Sequence, residues 1–360
     1  MQKYFKSLKI FFKDLSFYFS RRINRPLSAP DVLQISLTSR CNLKCTSCNV
    51  WKNPTSPHEE LTLQEIKDLI TESCLWGISE LHLLGGEPFL REDLKEIVSF
   101  AKAKKMFVVI CTNGTLINES LVTELAALKL DLINISLDGA KKETHDLLRG
   151  EQGSYDKIIA GIKTINRLKE NHIPKVGLIL TVSNKNLFEL QAYIDLAESF
   201  SIHSIYFTAL VADNVELSTK NKKHPLWIPE QELSKLDGYF SAIYSYAKNK
   251  NYLLDYPSFK LLAKYFKGEL KKEDWFCFCG FKRLVVIPTG EIQICGKLIG
   301  NYKQTKSLKQ LWYSEKAKES RKLVIKCPNY CLQDCHARAE SNSFKRIITS
   351  PINKILKRKV

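Results

Sequence analysis

From residue 31 to about residue 210 the chain alternates short apolar runs with amphipathic segments, and this rhythm constrains its fold more than any other feature. Residues 32–37, 81–84, 107–111, 132–137, 176–182 and 205–210 read as strands; residues 62–74, 92–105, 119–128, 156–170 and 187–200 read as helices. Thr62 with Glu65 supplies a capping box, and Leu94, Ile97, Val98 and Ala101 line one helix face. Strands that are apolar almost throughout and alternate with helices predict a parallel sheet covered on both faces. Six such units are too few for a closed eight-stranded barrel, so the expected class is α/β, a partial (β/α)6 barrel followed by a small cysteine-rich C-terminal domain. The expected segments are a basic amphipathic helix (1–25), the barrel (26–210), a helical linker (211–274), the cysteine-rich domain (275–343) and a basic arm (344–360).

Polar residues and glycines gather after the strands, where parallel βα folds place their sites. The loop after the first strand holds Cys41, Cys45 and Cys48 within eight residues. Three thiolates can ligate three irons of a four-iron, four-sulfur (4Fe–4S) cube and leave the fourth open, whereas a four-cysteine site is closed. Zinc is the alternative, but its sites show paired CxxC or added histidines, and the nearest histidine is His58. No apolar run approaches the ~18 residues of a membrane span. Lysines interrupt the first twenty residues, which excludes a signal-peptide core. A reducing cytoplasmic setting is therefore expected, where the eleven cysteines serve as metal ligands or buried thiols rather than disulfides.

Cys41-Asn42-Leu43-Lys44-Cys45-Thr46-Ser47-Cys48 is followed by Gly85-Gly86-Glu87-Pro88 after the second strand, Thr112-Asn113-Gly114 after the third and Ser136-Leu137-Asp138-Gly139 after the fourth. With the run HDLLRGEQGSYDKIIAGI from His145, this ordered set resembles the radical S-adenosylmethionine (radical SAM) superfamily over about residues 31–210. The resemblance implies a 4Fe–4S cluster on Cys41, Cys45 and Cys48 whose open iron chelates S-adenosylmethionine. An electron from an external donor of the flavodoxin or ferredoxin type then cleaves it to methionine and a 5′-deoxyadenosyl radical that abstracts substrate hydrogen. It implies cofactor contacts from Gly85, Gly86, Glu87, Pro88, Asn113, Ser136, Asp138 and Arg149. Gly85 and Gly86 would let the backbone approach the methionine moiety, and Glu87 would accept from its ammonium. Ser136 and Asp138, two apart and so on one side, would meet ribose or carboxylate. Arg149 would pair with a carboxylate through its planar fork. Ser47 departs from the family, which carries an aromatic residue there against the adenine; Trp51 is the nearby substitute. His145, Cys74 and Cys111 read as buried core.

Cys277, Cys279, Cys295, Cys327, Cys331 and Cys335 form a second group. Cys279, Gly290 and Cys295, with the closing Cys331-x3-Cys335, resemble a shortened SPASM or twitch-like auxiliary domain, and residues 284–295 read as a hairpin turning at Thr289-Gly290. The resemblance implies one auxiliary 4Fe–4S cluster, held by Cys279, Cys295 and Cys335 with Cys277 or Cys331 as the fourth ligand. A zinc knuckle using His336 is the alternative.

The net charge is +17, with +6 in residues 1–25 and +6 in residues 344–360, so the positive field lies in the two ends and a nucleic-acid partner is not expected. On a helical wheel Tyr4, Phe5, Leu8, Phe11, Phe12, Leu15, Tyr18 and Phe19 share an arc opposite Lys3, Lys6, Lys9 and Lys13. That pattern fits peripheral contact with the inner membrane face, or a helix docked on the barrel. The expected activity is a radical SAM oxidoreductase or maturase acting on a peptide or on a sugar or lipid precursor. An RNA-modifying radical SAM enzyme and a zinc-binding adaptor are the alternatives.

Overall fold

The structure is a computed structural model that describes residues 2–168, 172–211, 221–252, 254, 257–271, 274, 276–328 and 331–332. Helix α1 (Gln2–Arg22) precedes six strands, β1 (Val32–Ser36), β2 (Glu80–Leu84), β3 (Phe107–Thr112), β4 (Leu132–Ser136), β5 (Lys175–Val182) and β6 (Ser204–Ala209). These lie side by side in chain order, every pair parallel. Between them run α2 (Leu63–Trp76), α3 (Leu94–Ala103), α4 (Glu119–Ala127), α5 (Lys142–Arg149), α6 (Ser154–Arg167) and α7 (Leu190–Ser199). The capping box at Thr62 is formed, and Gly77 at φ +97° closes α2 in the left-handed conformation that a residue with a Cβ resists. The short helix α5 is absent from the sequence expectations: its run KETHDLLR carries too few apolar residues to show a helical stripe.

Leu33, Ile35, Leu81, Leu83, Val108, Ile110, Ile133, Ile135, Leu178 and Leu180 are fully buried on one side of the sheet. Each contributes roughly 1.5–3 kcal/mol through removal from water. The expectation of a sheet sealed on both faces is corrected here. Of the alternate residues, Gln34, Ser36, His82, Leu84, Cys111, Ser136, Ile179, Thr181, Ser204, Tyr206 and Thr208 stay partly accessible while Val32, Val109 and Asn134 are buried, so helices seal one face and leave the other mixed in character and only partly covered.

The hairpin at Thr289-Gly290 forms, with Gly290 at φ +85°. Its first strand, β7 (Arg283–Val286), pairs in parallel with β1, and β8 (Glu291–Ile294) and β9 (Lys297–Asn301) follow antiparallel. The result is one nine-stranded sheet in the order β6-β5-β4-β3-β2-β1-β7-β8-β9. The boundary expected near residue 275 thus separates segments that share a sheet. In the expected linker, helix Pro257–Lys267 packs on β6, where the Tyr265 hydroxyl donates to the Leu210 carbonyl at 2.8 Å and covers that sheet edge.

Helix α1 docks on the protein. Phe17, Tyr18 and Ser20 are buried, Lys13 Nζ lies 2.8 Å from Asp31 Oδ1, and Lys282 Nζ lies 3.1 Å from Asp14 Oδ1. Arg21 Nε donates to the Cys277 carbonyl at 2.8 Å, and its guanidinium sits 4.0 Å from the Phe276 ring centre. The predicted arc is thereby corrected. Phe17, outside it, is buried, while Phe12 (61%) and Phe19 (43%), inside it, are exposed. Side chains at Tyr4, Phe5, Leu8 and Phe11 lie outside the described residues, as does the 344–360 arm. No described helix is long and apolar enough to cross a membrane.

Candidate active site

The three-cysteine loop leaves β1 at its C-terminal end and is held there by backbone contacts from two neighbouring loops. Gly86 N–H donates to the Thr38 carbonyl at 2.7 Å, and Glu87 N–H donates to the Arg40 carbonyl at 2.9 Å. A Cβ on Gly85, at φ +144°, would lie 2.2 Å from the Thr38 oxygen, and one on Gly86 would lie 2.1 Å from the Arg40 oxygen. Both glycines are therefore required for the cysteine loop to dock on the end of β2. This requirement stands beside the expected approach to methionine. On the other side, Thr46 N–H and Oγ1 both donate to the Leu148 carbonyl at 2.9 and 3.0 Å, which ties the loop to the end of α5. Buried Arg91 adds a third support by donating to the Leu37 and Leu61 carbonyls at 3.0 and 2.6 Å.

Cys41, Cys45 and Cys48 are free thiols, with Cys45 buried and the other two half-buried. Burial pushes the Cys41 and Cys45 thiols up; at Cys45 the Arg149 guanidinium pulls the other way. Asn113 Nδ2 lies 3.9 Å from Cys41 Sγ and donates to Asn42 Oδ1 at 2.8 Å, which puts the loop after β3 against the cysteines.

Glu87 is fully buried. Its carboxylate accepts from Thr112 Oγ1 at 2.8 Å, Asn113 N–H at 2.8 Å and Phe89 N–H at 3.1 Å. A carboxylate has about four acceptor positions, so Glu87 is first a staple between the ends of β2 and β3, with about one position left for an ammonium. Burial pushes its carboxyl up while the Asn113 and Thr112 donors pull it down.

Asp138 follows β4 and is held at every polar atom. Its N–H donates to His145 Nδ1 at 3.0 Å, its carbonyl accepts from Asn186 Nδ2 at 2.8 Å, and Oδ1 accepts from Thr181 N–H at 2.9 Å. Oδ2 meets Arg149 Nη2 at 2.8 Å. Arg149 in turn places Nη1 3.8 Å from Cys45 Sγ, and its buried Nε has no hydrogen-bond partner among the described residues. The structure brings Asp138 and Arg149 together, and Asp138 spends its carboxylate on Arg149 and Thr181. Ser136 ends β4 on the partly covered face. Trp51 anchors the loop by donating from Nε1 to the Cys45 carbonyl at 3.2 Å. His145, Thr181 and Asn186, which hold Asp138 in place, were not singled out by the sequence as site residues. His145 was read as core, and its spacing of four from Arg149 on α5 is the signal that pairs them.

In the second cysteine group, Cys277 and Cys279 precede β7 and Cys295 follows antiparallel β8, at the end of the sheet opposite the three-cysteine loop. Cys279 N–H donates to Cys277 Sγ at 3.4 Å, and Cys277 lies in the field of Cys295 and Cys327, burial holding its thiol at about 12. A hydrogen bond from Cys279 pulls Cys295 down to about 7. Cys277, Cys279, Cys295 and Cys327 are thus neighbours, and Cys327 joins a set expected to draw on Cys335. Cys331 is half-buried, and Cys335 and His336 lie outside the described residues. Among the described residues no three His, Cys, Asp or Glu side chains converge on a single metal ion. Free thiols at Cys41, Cys45 and Cys48 in one strand-end loop, with the Asn113 and Arg149 nitrogens 3.9 and 3.8 Å from the Cys41 and Cys45 sulfurs, are a donor set that would hold three irons of a cluster and leave one open.

Residues 35–197 match the model of the radical SAM superfamily. The Fe-coproporphyrin III synthase of Methanosarcina barkeri (strain Fusaro / DSM 804) is 37% identical over 176 residues, 49% of this chain and 43% of that protein. The mycofactocin maturase MftC of Mycobacterium tuberculosis (strain ATCC 25618 / H37Rv) is 32% identical over 179 residues, covering 50% and 44%. The chain spans about half the length of the curated relatives it matches. Native anSMEcpe with bound AdoMet and a Kp18Cys peptide shares the fold at TM-score 0.64 and 20% identity, covering 91% of this chain and 98% of that one. Streptococcus suis SuiB bound to precursor peptide SuiA shares it at TM-score 0.64 and 17% identity, covering 83% and 68%. In its cysteine loop, the strand-end loops that clamp it and the matched span, the segment 35–197 is similar to a radical SAM domain.

Proposed function

We propose that this chain is a radical SAM enzyme acting on a polar substrate of the peptide class. The supporting observation is the free Cys41–Cys45–Cys48 loop, clamped at the end of β1 and opening onto the partly covered face of the sheet. When bound, a 4Fe–4S cluster with S-adenosylmethionine supplies an electron to the sulfonium and a 5′-deoxyadenosyl radical for hydrogen abstraction. The chain's own residues do the rest. Cys41, Cys45 and Cys48 would hold three irons, the remaining acceptor position of Glu87 would take the methionine ammonium, and the Arg149 Nε–H, without a hydrogen-bond partner among the described residues, would be available to a carboxylate. Anaerobic protein supplied with S-adenosylmethionine and a strong reductant is expected to release 5′-deoxyadenosine, and Cys41→Ala is expected to release none. Equal product from Cys41→Ala would refute the assignment.

The substrate reading rests on the partly covered face. Gln34, Ser36, Ser136, Thr181, Ser204, Tyr206 and Thr208 offer hydroxyls and an amide beside Leu84, Val109 and Ile179, which suits a peptide, the ligand named for SuiB and anSMEcpe. A tetrapyrrole, as in the names of other relatives, calls for a broad apolar slot. Coproporphyrin III is therefore expected to leave its Soret band unchanged on titration with the enzyme, and saturable micromolar binding would overturn the peptide reading. The cysteines at 277, 279, 295 and 327 support one auxiliary cluster, and a flavodoxin- or ferredoxin-type protein would be the electron donor. Exposed Phe12, Phe19 and Ile23 beside Arg22 and Arg25 support contact with anionic lipid. Co-sedimentation with phosphatidylserine vesicles that survives deletion of residues 1–25 would remove that role.

A further inference from the structure

We propose that Arg149, held in place by Asp138 and His145, is a positioning residue that makes the cluster on Cys45 easier to reduce. This rests on the radical SAM reading of the cysteine loop and adds a role that the carboxylate contact does not contain. Arg149 Nη1 stands 3.8 Å from Cys45 Sγ. Its direction is imposed from behind, because Nη2 is fixed at 2.8 Å by Asp138 Oδ2, whose other oxygen is fixed at 2.9 Å by Thr181 N–H. The Asp138 backbone is pinned at both ends, with its N–H on His145 Nδ1 at 3.0 Å and its carbonyl on Asn186 Nδ2 at 2.8 Å.

His145 can accept that N–H only as a neutral ring, and it is fully buried on α5 one turn before Arg149, whose cation disfavours a second charge. Both ends of the linkage thus belong to one helix, and the strand-end loop closes it into a rigid unit. Reduction adds one electron to the cluster and its thiolates. A fixed cation and N–H donor at a ligating sulfur stabilise the reduced form more than the oxidised one, and hydrogen bonds to the sulfurs are a recognised determinant of cluster potential.

The test is a redox titration of reconstituted enzyme without S-adenosylmethionine, so that a carboxylate contact contributes nothing. Dithionite supplies the electron, and the paramagnetic reduced cluster is read by electron paramagnetic resonance at matched iron content. In Arg149→Gln the ratio of reduced to oxidised cluster at a fixed potential is expected to fall about tenfold, a midpoint about 59 mV more negative for a one-electron couple. Arg149→Lys keeps the charge and loses the fork, so a smaller shift in the same direction is expected. His145→Phe, which removes the acceptor for Asp138, is expected to shift the same way. An unchanged midpoint in Arg149→Gln overturns the proposal. Should that variant take up no iron, an unchanged midpoint in Arg149→Lys overturns it, and an unchanged His145→Phe removes the positioning of Arg149 by His145. A wild-type chain that assembles no cluster would instead defeat the radical SAM reading itself, so the two failures are distinguishable.

Discussion

A methyl group on Gly86 would lie 2.1 Å from the Arg40 carbonyl oxygen and 2.8 Å from that of Ser39, both backbone atoms with little freedom to move. Gly86→Ala is therefore expected to lift the cysteine loop off the end of β2, at a cost of about 3 kcal/mol, and to reduce iron bound per chain. Urea unfolding and an iron assay check it, and full iron content with unchanged stability would show that the loop tolerates the shift. At His145 the effect is one of pH. Burial first, and then the Arg149 cation, lower its pKa from 6.5 to about 3. A group whose folded pKa is depressed in this way binds its proton more readily when unfolded, so stability falls as pH drops from above 6.5 towards 3. At ~1.4 kcal/mol per unit the full effect approaches roughly 5 kcal/mol, of which about 2 kcal/mol is lost by pH 5. Urea titrations at pH 8 and pH 5 should show that loss in the wild type, with a correspondingly smaller loss in His145→Gln. Glu87 marks the limit of residue-level reading. Its position after β2 identified it, but only its three donors show that it staples two strand ends.

At the scale of elements, α1 shows why a helical wheel is not enough. The wheel finds apolar residues on an arc, while docking selects the face that offers Phe17, Tyr18 and Ser20 together with Arg21. Lys13, which looks solvated on the wheel, finds both Asp31 and the Phe17 ring. Phe17→Ala is expected to cost about 3–5 kcal/mol. Arg21→Ala is expected to loosen residues 276–282, read as faster amide exchange there with little change in β2–β5. Uniform protection in Arg21→Ala would show that the helix does not brace the cysteine segment. Helix α5 was illegible for the opposite reason: its short polar run has no apolar stripe, and its stability comes from Asp146 capping Gly153, Ser154 and Tyr155 and from the loop contacts at Leu148.

Across the whole molecule, β7 joins the two cysteine groups to one sheet through its pairing with β1. A cluster on the C-terminal cysteines would then sit at the opposite end of the sheet from Cys41, Cys45 and Cys48, because Cys277 and Cys279 precede β7 and Cys295 follows antiparallel β8, while the three-cysteine loop follows β1, which is parallel to β7. Replacing those three cysteines by alanine together is expected to halve the iron, from about eight to about four atoms per chain if each site holds a 4Fe–4S cube, and to leave a brown protein. Loss of all iron in the triple variant would mean that the C-terminal cysteines hold none.

The sequence by itself determined the βα rhythm, the parallel order of six strands, the three-cysteine loop and the family of strand-end motifs. These features are local: they depend on apolar runs, capping residues and spacing within a few tens of residues. Only the tertiary structure decided which partners those residues take. Asp138 faces Arg149 rather than open space, Gly85 and Gly86 meet carbonyls from β1's loop, one sheet face is left only partly covered, and β7 pairs with a strand some 250 residues earlier. Such contacts depend on the approach of segments distant in the chain, and a burial pattern or a motif carries no record of what lies on its far side.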